Sequence, residues 1–111
     1  MANRFRLLPR TRVLGREVAV AVGLRSRVLG LALLDRERAG AGLLIPRCRS
    51  VHTFGMRFPL DVHFLDEHGR AIAVHRCVPP NRVRSERRAV AVLEIPTPSV
   101  ASGGELERPP T

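Results

Sequence analysis

Apolar and polar positions alternate with a period of two at several places, and these stretches predict strands. Residues 17–22 read Glu-Val-Ala-Val-Ala-Val, with the branched side chains on one face, the pattern of a half-buried strand. Residues 60–65 are the most regular. Leu60, Val62 and Phe64 fall on one face, Asp61, His63 and Leu65 on the other, and Pro59 opens the strand. Asp66-Glu67-His68-Gly69 supplies a turn and Ala71–His75 a second strand, so residues 60–76 predict a β-hairpin. Leu43–Ile45 is a short apolar run stopped by Pro46, and Ala89–Ile95 gives a last strand after the extended Pro79-Pro80 connection. One helical spacing interrupts this series: Leu24, Val28 and Leu31, capped near Ser26 and continuing to Leu34, with Gly30 inside it.

Short strands with one short helix predict a mainly β domain (β-rich α+β), a small partly open barrel or sandwich of about five to seven strands. The organisation expected is a basic arm or first strand over residues 1–14, one domain over 15–98, and a flexible Pro/Gly-containing tail over 99–111. With 111 residues the chain is long enough for one hydrophobic core and too short for two. No apolar window is long enough for a membrane-spanning helix. Arg4, Arg6, Arg10 and Arg12 interrupt any secretory h-region, so a cytoplasmic location with reduced Cys48 and Cys77 is expected.

The charge narrows less than it promises. All 19 basic residues are Arg against 10 acids, a net charge of +9. Residues 1–50, 51–81 and 82–111 carry +8, 0 and +1, and five arginines lie in the first 16 positions. Arg4, Arg6, Arg10 and Arg12 are therefore the candidates for phosphate contact in a nucleic-acid-associated reading. The competing reading is a solvated surface with Arg in place of Lys. Four Phe and no Tyr or Trp leave few rings for stacking on bases, and Phe54, Phe58 and Phe64 fall where a core is expected. The Pro79-Pro80-Asn81-Arg82 loop with Arg84, Arg87 and Arg88 is a candidate anion or partner rim, unless Glu86 and Glu94 pair with those arginines.

The run from Cys48 to Asp66, Cys-Arg-Ser-Val-His-Thr-Phe-Gly-Met-Arg-Phe-Pro-Leu-Asp-Val-His-Phe-Leu-Asp, followed by Gly69-Arg70, resembles the signature of a bacterial and archaeal family, the domain-of-unknown-function family numbered 192. Gly30-Leu31, Gly42-Leu43-Leu44-Ile45 and Ala91-Val92-Leu93-Glu94 fit its order, and the likeness covers about residues 15–98. The resemblance implies a small, mainly β domain with one short helix, no established activity and no known cofactor. The chain departs from the family pattern where Pro96, Pro98 and Arg108-Pro109-Pro110 stand in place of a Gly-Asp turn and a closing strand.

Within that signature His52, Thr53, Met56, Asp61 and His63 form the candidate binding patch. Asp61 stands in an apolar strand, so its carboxylate needs donors. It either accepts a ligand or a proton beside His52 and His63, or bonds the backbone of the preceding loop and fixes the turn from Met56 to Leu60. His75, on the paired strand, is a further candidate for the face of Asp61 and His63. Cys48, His52, His75 and Cys77 contain the donors of a zinc site, and Cys48 with Cys77 those of a disulfide, but Cys-x-x-x-His is not a usual zinc spacing. No complete catalytic constellation is present and no cofactor is called for. The reading is a small binding or interaction module for a protein or small-molecule ligand, with a nucleic-acid-associated protein and a metal- or Cys-dependent enzyme at the His52/Asp61 patch as alternatives.

Overall fold

The computed structural model describes residues 8–22 and 40–98. Every regular element among them is a strand: β1 Arg10–Val13, β2 Arg16–Val20, β3 Leu43–Pro46, β4 Ser50–His52, β5 Leu60–Leu65, β6 Ala71–Val78, β7 Val83–Ser85 and β8 Ala91–Pro96. The helix expected from Ser26 to Leu34 and the tail from residue 99 lie outside the described residues. The mainly β class is as expected. The strands are more numerous than the pattern suggests because β1 lies in the basic arm, and β4 and β7 are too short to show alternation.

Six strands form one sheet in the order β1-β2-β3-β8-β5-β6, and β4 pairs with β7 in a separate two-stranded sheet. β1 and β2 are joined by a two-residue turn in which Leu14 and Gly15 both have positive φ (51° and 80°), the form whose twist matches flanking strands. β2 and β3 run parallel. The remaining pairs are antiparallel, and β8, the last described strand, sits between β3 and β5. β8 begins at Ala91 and not Ala89, because Ala89 N–H donates to Glu86 O and holds residues 86–89 in a turn.

β1 and β6 are the two edges of this sheet among the described residues, so the architecture is an open sheet and not a closed barrel. It still curls, bringing Val13 of β1 beside Gly69 of the β5–β6 turn. One face packs Leu43, Leu60, Val62, Phe64 and Val92 against Val51, Met56, Phe58 and Ala89, so the small sheet and its loops act as a lid. The other face gathers Val18, Leu65, Leu93 and Ile95. β5 is buried on both sides, with Asp61 and His63 on the face of Leu65. Among the described residues no helix is long and apolar enough to cross a membrane.

Candidate functional site

Three residues of the sequence-derived patch are structural posts. Thr53 is 1% exposed. Its hydroxyl donates to Pro79 O (2.7 Å) and accepts from Arg82 N–H (2.8 Å), while its own N–H donates to Arg82 O (2.8 Å). One threonine thereby fastens the Pro79–Arg82 loop to the end of β4. Met56 is buried in the core. Asp61, 7% exposed, accepts Cys77 N–H (2.9 Å) and the Thr97 hydroxyl (2.8 Å) on Oδ1, with Arg76 Nη1 3.6 Å from Oδ2. These donors come from β6 and from the end of β8, not from the loop preceding Asp61. The carboxylate meets them because β6 bulges at this point, with Cys77 at φ 54°.

His52 and His63 do not complete a shared site with these posts. His52, half-buried on β4, accepts Phe54 N–H on Nδ1 (3.1 Å) and stacks on the Phe54 ring at 5.4 Å. Phe54 is 51% exposed, contrary to its expected place in the core: the glycine turn at Gly55 (φ 78°) sends it outward while Phe58 turns in. His63 shares Asp61's face of β5, and its Nδ1 is buried without a hydrogen-bond partner among the described residues. Burial lowers the His63 pKa below its usual 6.5; Asp61 pulls it upward, while Arg76 and Arg16 add to the lowering.

His75 is not on that face. It pairs with Val62 and packs edge-on against Phe64 (5.1 Å), with Nε2 3.1 Å from Glu86 Oε2. Leu65 pairs with Ala71, and unbroken pairing would set His75 opposite Asp61. The extra residue Ile72 shifts the register by one and inverts the face. The zinc and disulfide candidates also separate. Cys48 N–H donates to Val90 O, whose N–H reaches Leu65 O at one end of β5, whereas Cys77 is tied to Asp61 at the other. Both cysteines are free, and the described residues contain no group of three or more potential metal ligands. Of the basic arm, Arg10 is engaged with Glu17 (3.3 Å) and Arg12 donates to Gly15 O (3.2 Å), while Arg4 and Arg6 lie outside the described residues.

The open space lies at the Leu65 end of β5. A cavity of about 470 Å³ has Val13, Leu44, Leu65 and Ala91 among its apolar lining, with Arg12, Arg47, Asp66 and Glu67 around them. A second, of about 550 Å³, is lined by Asp66, Glu67, Ile72, Glu86, Arg87 and Arg88. A third, of about 350 Å³, lies between residues 47–49 and Ala89-Val90. The first and second share Asp66 and Glu67, and the first and third share Arg47 and Val90, so the three ring the loop from Glu86 to Ala91. The arginine rim expected beside Pro79 is split. Arg82 and Arg84 donate to nearby backbone carbonyls at one end of β7, and Arg87 and Arg88 stand past its other end. Neither glutamate pairs with them as expected: Glu86 faces His75, and Glu94 is buried in β8. Residue types alone pointed to Arg87 and Arg88, but not to the apolar wall beside them, which forms only when the sheet curls.

No curated protein matches the chain. Two solved structures are similar in fold. One, a proposed transcription regulator from Sinorhizobium meliloti 1021, is 24% identical with a TM-score of 0.63, covering 79% of this chain and 78% of its own. The other, a protein of unknown function from Novosphingobium aromaticivorans DSM 12444, is 20% identical with a TM-score of 0.59, covering 79% and 70%. The profile of the family DUF192, described as Uncharacterized ACR, matches residues 9–104, and this chain belongs to that family.

Proposed function

We propose that this domain is a binding module whose ligand enters the cleft at the Leu65 end of the sheet. One observation carries the reading: the three cavities ring a single loop, Glu86–Ala91, and the one beside β1 combines an apolar floor with charged groups at its edge. Concave apolar surface with a few polar groups is the usual form of a small-molecule site. The earlier patch offers less room for a ligand, since Thr53, Met56 and Asp61 spend their side chains on the fold itself. Two free cysteines accord with a cytoplasmic setting. A protein-observed NMR screen with small apolar and amphipathic molecules tests the seat. Binders are expected to shift the methyl signals of Val13, Leu44 and Val90. Val90→Trp, at an exposed residue on the cleft, is expected to weaken them roughly tenfold, about 1.4 kcal/mol. Binders that move only the Phe54 and Val83 signals would relocate the site to the other end.

A nucleic-acid reading has one specific support, the description of the Sinorhizobium relative as a proposed transcription regulator, together with the arginines at 12, 47, 49, 87 and 88 around the cleft. Its test is oligonucleotide affinity measured against salt, where phosphate contacts give a steep linear dependence of log K on log salt. Absence of binding near 0.15 M salt removes it.

A further inference from the structure

The turn after β7 sets two consecutive arginines, Arg87 and Arg88, on the cavity of about 550 Å³. The charges in its wall are not equivalent. Asp66 Oδ1 accepts the N–H groups of His68 (2.8 Å) and Arg70 (3.0 Å), bonds that hold its carboxyl below the ordinary 3.8. Glu86 Oε2 is turned to His75 Nε2 at 3.1 Å. Among the described residues no carboxylate lies within ion-pair distance of Arg87 or Arg88, and both are exposed. Of the three acids in the wall, Asp66 and Glu86 are engaged and Glu67 approaches only His68, at 3.9 Å, while the two guanidinium groups have no acid within reach among the described residues.

The turn is also fixed. Glu86 N–H donates to Arg49 O (2.9 Å), Ala89 N–H to Glu86 O (3.1 Å) and Val90 N–H to Leu65 O (2.8 Å), with the Ala89 methyl buried. The arginines therefore leave from a backbone held on three sides. Opposite them, Ile72 occupies the bulge of β6 and is 44% exposed, giving the cavity an apolar wall.

We infer that Arg87 and Arg88 are the seat for a small organic anion, a phosphate monoester or carboxylate, whose apolar body lies against Ile72. Guanidinium groups suit both head groups because each presents paired donors to paired oxygens. Asp66, Glu67 and Glu86 in the same wall disfavour a continuous phosphate backbone, which would lay several charges across them. The inference rests on the cleft reading and names the group that anchors the ligand.

The test is a two-dimensional NMR titration of the full chain with phenyl phosphate, benzoate and, as neutral control, benzyl alcohol. Phenyl phosphate or benzoate is expected to shift the Ile72 methyls and the Arg87 and Arg88 amides saturably, and benzyl alcohol to bind more weakly. An Arg87→Ala/Arg88→Ala double variant is expected to lose roughly tenfold in affinity, while Arg10→Ala loses none. Equal binding of acid and alcohol, or an unaltered double variant, overturns the anion seat. If Val90→Trp still weakens binding of apolar probes in that case, the cleft reading survives alone; if no probe of any kind binds, both fall. A response that grows with oligonucleotide length would assign the arginines to nucleic acid and overturn the inference as well.

Discussion

Asp61 shows how much a single side chain can hold. Its Oδ1 takes the N–H of Cys77, which the bulge in β6 removes from strand pairing, and the hydroxyl of Thr97, which follows β8. Removing the acceptor leaves two donors unsatisfied near buried surface, so Asp61→Ala is expected to cost about 3 kcal/mol in urea denaturation. Asp61→Asn, which keeps an oxygen in place, is expected to cost about 1 kcal/mol; equal losses for the two variants would refute this role. His63, on the same face, gives a pH signature. Because burial lowers its folded-state pKa below 6.5, the unfolded chain takes up the proton first as the medium acidifies. Its contribution is full above about pH 6.5 and is lost as pH falls from there toward the folded value. The melting temperature is expected to drop between pH 7 and 5, and His63→Gln to flatten that drop. The Asp66 carboxyl, lowered by its two amide bonds, acts in a separate window: its contribution is present above its usual 3.8 and lost in stronger acid.

At the scale of elements, the β1–β2 turn offers a prediction that needs no ligand. Leu14 holds φ at 51°, a left-handed conformation that costs a leucine and suits asparagine, and its side chain is exposed. Leu14→Asn is therefore expected to raise stability by about 0.5–1 kcal/mol, read as a higher melting temperature; a fall would show that the leucine packs in a way its exposure conceals. The same element view explains what could be read from the sequence. β5 was legible because Leu60, Val62 and Phe64 all serve one core, while the other face carries the polar Asp61 and His63 between them. β6 was legible as a strand but not in register: Ala-Ile-Ala-Val-His looks continuous, yet an extra residue at Ile72 and another at Arg76-Cys77 each shift the pairing by one. The first shift moved His75 away from Asp61, and the second made Cys77 the donor to Asp61. The two bulges also interrupt β6, an edge strand among the described residues, a device that discourages pairing with another chain's strand. Thr53 read as a ligand-facing residue because its partners, Pro79 and Arg82, lie too far along the chain for local pattern to show them.

Across the whole molecule, the count of charge along the chain and its placement in space lead to different conclusions. By sequence the signature segment is neutral and the excess belongs to the N-terminal half. In space Arg12, Arg47, Arg49, Arg87 and Arg88 line adjoining cavities, because β8 returns the end of the domain to lie between β3 and β5. The cleft thus depends on the last described strand. Without β8 the large sheet divides into β1-β2-β3 and β5-β6, and Val92, Leu93 and Ile95 leave the two cores they serve. Each such side chain contributes roughly 1.5–3 kcal/mol by burial, and the strand pairing is lost with them, against a total stability of about 5–15 kcal/mol. A chain ending at Val90 is therefore expected to show no cooperative transition by circular dichroism, and a synthetic peptide spanning residues 91–98 to restore one when added in trans. A chain ending at Pro98 keeps all eight described strands and the Thr97 bond to Asp61, and is expected to unfold cooperatively. Cooperative unfolding of the Val90-terminated chain would show that β1–β7 make a domain by themselves. β8 would then be an attachment to that domain and not its centre.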